Sequence, residues 1–235
     1  MTAVHHLLKT WHNQVQIYIA LTSFSRDRFI EGGLPEEKIM VKPNFVYPDP
    51  GKKRGGRDYM LFVGRLAPEK GILTLLRAFK SLPGVPLKIA GDGPLMENTV
   101  GFVQSRDLQN IQILGHCSRE QIIGLLKGAA CLLFPSLWYE GFGLAIAEAF
   151  ACGVPVIASR LGVMEEIVDH ERTGLHFTAG DPQDLAAKVE WAWTHPAIMQ
   201  SLGEQARREY EKNYTAERNY ELLMNIYETA IQRYN

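Results

Sequence analysis

From Tyr59 to Phe177, short apolar runs alternate with segments of helix length, and this alternation restricts the fold more than any other feature of the chain. YMLFVG, PLKIAG, IQILG, CLLFPS, VPVIAS and TGLHF have the length and apolar continuity of strands buried on both faces. Between them, KGILTLLRAFKSL carries apolar residues at helical spacing, and PLMENTVGFVQSR is opened by Pro94, a residue suited to a first helical turn. SREQIIGLLKGA offers Ser118 and Gln121 as a capping box. LAIAEAFA is rich in helix formers, and a short helix is expected near VMEEIV. Strands joined by helix-length crossovers make a parallel sheet with helices on both faces, so the fold class is α/β. DPQDLAAKVEWAWTHP, with Asp181 as N-cap candidate, and a further helix to about Lys212 follow. In the final helix, Ala216, Tyr220, Leu223, Ile226, Tyr227 and Ile231 fall near one face.

Composition removes several function classes. The chain has 235 residues, 46% apolar and 22% charged, with a net charge of −1, as in an ordinary globular protein. Near-neutral charge gives no electrostatic case for nucleic acid or an anionic membrane. No run reaches the roughly 18 apolar residues of a membrane span, and the N-terminus lacks the apolar core of a signal peptide. Cys117, Cys131 and Cys152 have no paired or metal-type spacing, and two stand in apolar surroundings. They read as reduced thiols, and the expected location is cytoplasmic.

Residues 1–44 are too short for a core of their own. Ala3 to Asn13 predicts a helix, QIYIALT a strand, SFSRDRFIEGG a helix capped by Ser23 or Ser25, and KIMVKPN a second strand. His5, His6 and His12 lack acidic partners nearby and read as exposed or capping side chains. FVYPDPGKKRGGRD, residues 45–58, has the glycine, proline and basic content of a linker, and its KKRGGR run reads as a solvated loop.

A Rossmann-like sheet invites a dinucleotide reading, which the turns contradict. Neither GRLAPEKG nor GDGP supplies G-x-G-x-x-G, and no phosphate loop of the G-x-x-x-x-G-K-[ST] type is present. The first turn instead holds Gly64, Arg65 and Lys70, two cations able to reach one anion, although either alone could be a surface salt bridge. Gly91 and Gly93 allow close backbone approach or simple turn chemistry. Leu95 could cover a base or belong to the core. Gly115-His116-Cys117-Ser118 lies on the same edge. In WYEGFGLAIAE, the amides of Phe142, Gly143 and Leu144 stand at a helix start after a buried strand, a favourable place for an anionic or oxygen-rich ligand. Glu140 and Glu148 frame that start, as acceptors suited to sugar or ribose hydroxyls. Either glutamate alone would read as a solvated side chain.

Glu140-x7-Glu148 with Gly141-Phe142-Gly143-Leu144 between, together with GRLAPEKG directly after a strand, resembles the donor site of family-4 retaining glycosyltransferases of the GT-B fold. The resemblance covers residues 17–235, with Val163 standing where the family usually has a second glycine. It implies a C-terminal, donor-binding half of a GT-B fold. Residues 1–44 would close an acceptor domain that is otherwise missing, 45–57 would be the linker, 58–212 the nucleotide-sugar-binding unit, and 213–235 a helix crossing back. Within it, Arg65 and Lys70 would hold the donor diphosphate, and Glu140 with the amides of residues 142–144 the transferred hexose. Glu148 would take the ribose, and the turn at His116 and Cys117, with Leu95, would lie against the base. The implied reaction moves a hexose from a nucleotide-diphosphate sugar, UDP being the first choice, to an acceptor hydroxyl with retention. The catalytic set is Glu140, Arg65 and Lys70. No metal and no separate cofactor are expected, since there is no Asp-x-Asp motif. The acceptor is a glycan, lipid or small molecule. A homo-oligomer formed through residues 1–44 and the last helix is one expectation. A non-catalytic nucleotide-sugar-binding or interaction module is the alternative, and an epimerase or phosphorylase of the same fold a weaker third.

Overall fold

The computed structural model describes residues 10–52 and 55–234. His5, His6 and most of the predicted Ala3–Asn13 helix lie outside them; the described part is α1, Thr10–Gln14. A small parallel pair follows, β1 (Tyr18–Ala20) beside β2 (Ile39–Val41), connected through α2 (Ser23–Glu31). The cap of α2 is Thr22, one residue before the expected serines, because its extended backbone aims Oγ1 at the Ser25 amide.

Six parallel strands make the main sheet, in the order β5-β4-β3-β6-β7-β8. They are β3 (Tyr59–Val63), β4 (Leu87–Ala90), β5 (Ile111–Gly115), β6 (Ala129–Phe134), β7 (Val156–Ser159) and β8 (Gly174–Phe177). The crossovers are α3 (Ile72–Phe79), α4 (Met96–Ser105), α5 (Arg119–Gly128), α6 (Leu144–Ala151) and α7 (Val163–Ile167). The chain then closes with α8 (Pro182–Thr194), α9 (Pro196–Asn213) and α10 (Ala216–Tyr234).

Period-two alternation divides the core between the two faces of the sheet. Met60 and Phe62 of β3 enter one cluster with Leu75, Leu76 and Phe79 of α3. Tyr59 and Leu61 enter the other with Ile146 and Phe150 of α6. Phe150 is fully buried, so its loss would remove about 3–5 kcal/mol. The Ser118–Gln121 capping box and the Asp181 cap both form as predicted. Pro94 stands before α4 rather than in its first turn, because the Leu95 amide bonds back to Leu66 O. Gly162 alone supplies the left-handed step into α7 (φ 56°), and Val163 after it is core.

Two tertiary ties went unsignalled in the sequence. Arg207 of α9, with its side chain 9% exposed, grips Asp49 by two bonds of 2.7 and 2.6 Å and also donates to Ala151 O and Glu211. Glu166 of α7 accepts from the Ser23 and Phe24 amides at 2.8 and 2.7 Å, capping α2 from the larger unit. Along α10 only part of the predicted face packs: Ile226 is buried, whereas Tyr220, Tyr227 and Ile231 are exposed.

Candidate functional site

The strand order turns back between β3 and β6, since the chain builds outward through β4 and β5 before returning. In such sheets, ligands bind outside the strand C-termini at that reversal. The turns after β3 and β6 meet there. Gly71, with φ 71°, carries the chain into α3, and a Cβ on it would stand 1.8 Å from Pro135 O of the opposite turn. Only glycine fits both demands.

Neighbouring turns are joined main chain to main chain. Leu66 N donates to Asp92 O, Leu95 N to Leu66 O, Gly64 N to Ala90 O and Gly91 N to Gly115 O. A Cβ on Gly91 would lie 1.8 Å from Gly64 O, so the close backbone approach at Gly91 is to the first turn. Gly93 packs in the same way on Leu66. Leu95 is half-buried and packs against the core.

Across the reversal, Lys70 Nζ lies 2.7 and 2.8 Å from the two carboxylate oxygens of Glu140. Ser136, buried in the turn after β6, sets its hydroxyl 2.6 Å from Glu140 Oε1. The following Leu137 amide bonds Glu69 O at 2.8 Å, which fixes the loop that carries Glu140. Lys70, Glu140, Glu69, Trp138 and Tyr139 line one hollow of about 280 Å³. Arg65 is exposed at the same edge and forms no ion pair among the described residues.

The second predicted glutamate sits deeper. Glu148, one turn inside α6, has a side chain 12% exposed, with Arg119 Nε of α5 at 3.4 Å. Burial raises its carboxyl above the ordinary carboxylate range, and the Arg119 hydrogen bond and charge partly oppose that shift. Gly143, left-handed with φ 79°, is the N-cap of α6 and offers no side-chain cap. Among the described residues, no protein acceptor takes the amides of Phe142, Gly143 or Leu144. The Phe142 ring faces away into the core, edge-on to Tyr214. Gly141 and Leu144 are exposed. His116 is exposed beyond β5, and the Cys117 thiol donates to Gly115 O.

The structure thus brings Lys70 and Glu140 into contact, and it supports the Glu148 carboxylate from Arg119. Arg65, His116 and the open helix start lie on the same strand-end edge. Sequence reasoning missed Ser136 and Arg119. Ser136 stands four residues before Glu140 in the same turn, a spacing that could have suggested the pair. Arg119 carries no such local mark. Among the described residues, no group of three or more His, Cys, Asp or Glu side chains is disposed to hold a metal ion. No described helix is long and apolar enough to cross a membrane.

Comparison with known proteins gives a consistent result. The family model described as glycosyl transferases group 1 matches residues 46–209. An uncharacterised glycosyltransferase of Methanocaldococcus jannaschii is 32% identical over 204 residues, covering 86% of this chain and 57% of the relative. The D-rhamnosyltransferase WbpZ of Pseudomonas aeruginosa is 30% identical over 179 residues, covering 72% of this chain and 47% of the relative. The chain therefore spans about half the length of these curated relatives. Among solved structures, Anabaena HepE in complex with UDP superposes with a TM-score of 0.83 at 22% identity, covering 92% of this chain and 64% of that one. Sucrose-phosphate synthase from Thermosynechococcus elongatus superposes at 0.81 with 24% identity, covering 91% and 58%. At these identities the likeness is one of fold, that of the GT-B glycosyltransferases.

Proposed function

The chain belongs to the group 1 glycosyl transferases, and from that membership we propose that its β3–β6 edge binds the donor, a hexose carried on a nucleoside diphosphate. The observation that carries this reading is the convergence of Lys70 with Glu140 beside a helix start whose amides have no protein acceptor among the described residues. Diphosphate oxygens suit Arg65, a planar fork with no competing carboxylate among the described residues, together with the mobile ammonium of Lys70. Glu148 accepts from the ribose hydroxyls. Glu140 and the amides of residues 142–144 orient the hexose.

In the proposed transfer, the bond from the anomeric carbon to the phosphate oxygen breaks as the acceptor oxygen bonds to the same face. The acceptor proton passes to the departing phosphate, and configuration is retained. Arg65 and Lys70 stabilise the charge that collects on the leaving group, the largest kind of term in such catalysis. Glu140, already held by Lys70 and Ser136, positions the sugar and does not attack it. UDP is the preferred nucleotide, in keeping with the UDP held by the Anabaena protein of the same fold. The buried, unreactive setting of Cys152 suits the reducing cytosol.

A calorimetric titration with UDP, GDP and ADP tests the reading, on the wild type and on Arg65→Ala and Glu148→Ala. One nucleotide should bind the wild type, and both variants should lose it. Absence of binding to all three would overturn the donor site.

A further inference from the structure

The loop that delivers Glu140 exposes three consecutive large apolar side chains: Leu137 at 42%, Trp138 at 64% and Tyr139 at 54%. Its backbone is not loose. Leu137 N is bonded to Glu69 O, and the Ser136 hydroxyl reaches Glu69 O and the Glu140 carboxylate. Tyr139 has a structural use, since its ring packs on Phe24 with centroids 4.9 Å apart. Trp138 has no such ring partner among the described residues, and it lines the Lys70–Glu140 hollow.

We propose that Trp138 is a specificity-determining residue of the donor site, its indole face a platform for the apolar face of the transferred hexose. The proposal rests on the donor-site reading given above and adds to it a residue outside the motif. A pyranose ring has a rim of hydroxyls and a face of C–H bonds, and the hollow matches both. A carboxylate offers about four acceptor sites, and at Glu140 Lys70 and Ser136 occupy three of them. One therefore remains for a hydroxyl. Glu69 borders the same hollow. A free carboxylate acceptor takes a hydroxyl and not a phosphate oxygen, so the part of the donor that suits Glu140 is its uncharged sugar, which leaves Lys70 and Arg65 to the diphosphate. The wide indole surface covers the C–H face that hydroxyl-seeking groups leave bare.

The test compares each nucleoside diphosphate with its sugar conjugate by calorimetry: UDP with UDP-glucose, GDP with GDP-mannose, and ADP with ADP-glucose. The wild type, Trp138→Ala and Trp138→Phe are titrated with all three pairs. For the pair that binds, Trp138→Ala should weaken the sugar nucleotide about five- to tenfold and leave the bare diphosphate within about twofold. Trp138→Phe should recover most of the loss. Because the ring is exposed, both variants should melt with the wild type. Equal affinities in wild type and Trp138→Ala for the conjugate would overturn the proposal while leaving the donor site standing. An equal loss for diphosphate and conjugate would also overturn it, by assigning the ring to the nucleotide. Failure of all three pairs to bind the wild type would remove the donor site itself, and the proposal with it.

Discussion

Lys70 donates to both carboxylate oxygens of Glu140, at 2.7 and 2.8 Å, across the crevice where the strand order reverses. One residue follows β3 and the other follows β6, so the contact forms only when both turns are in register. The pair is partly buried, with side chains 29% and 14% exposed. Lys70→Ala leaves Glu140 without its counter-charge and should cost about 1–3 kcal/mol in chemical denaturation. It should also abolish nucleoside diphosphate binding. Glu140→Gln releases Lys70 from a competing anion, and UDP affinity by calorimetry should rise by about 0.5–1 kcal/mol.

Glu148 is held against its own preference. Burial puts its folded-state carboxyl above the ordinary value of 4.5. A raised carboxyl favours the folded chain below that ordinary value and loses the advantage as pH climbs through the raised one. At pH 7 the ionised group is therefore a burden on α6. Glu148→Gln should stabilise the chain at pH 7 by up to about 1 kcal/mol in chemical denaturation, with the gain vanishing near pH 4. The same variant should lose nucleotide affinity.

Glycines at the edge separate into two kinds. Gly71→Ala meets Pro135 O at 1.8 Å in a left-handed backbone and should destabilise by about 2–3 kcal/mol. Gly141→Ala meets nothing within 4 Å and should unfold at the wild-type urea midpoint.

Arg207 ties the segment before β3 to α9. Arg207→Ala should cost about 2–3 kcal/mol, less than a wholly buried pair because Asp49 and Glu211 remain half in water. The Arg207 hydrogen bonds hold the Asp49 carboxyl below its ordinary 3.8. The stability that Asp49 contributes is thus complete above that value and is lost as pH falls through the lowered one. An Asp49→Asn variant should show a flatter decline of Tm with acidification than the wild type.

The three thiols should differ in reactivity. Burial pushes Cys152 up to about 12, and Cys131 is fully enclosed, whereas Cys117 is half-buried on the turn after β5. Only the thiolate attacks electrophiles. Iodoacetamide at pH 8 should label Cys117 alone in the folded chain and all three in urea.

Local signals made much of this molecule legible. The apolar runs, the Ser118–Gln121 box and the Asp181 cap each involve residues within a few positions of one another, and each forms as predicted. The contacts that unite the site are of another kind. By their motifs Lys70 belongs with the diphosphate and Glu140 with the hexose, and nothing in a chain separation of 70 residues says that they touch. Glu166 on the Ser23 and Phe24 amides spans 143 and 142 residues. Arg119 beside Glu148 spans 29. Periodicity reports which face of an element is buried, and it is silent on which exposed charges will meet.

The turns after β3, β4 and β5 are bound to one another through main-chain amides and carbonyls, with glycines where their backbones touch. Inheritance works by exchanging side chains, and this layer presents few of them to exchange. A lineage carrying such an edge can alter Trp138, Glu69 or His116 one at a time while the frame beneath them keeps its shape. Change of ligand and loss of fold are thereby uncoupled.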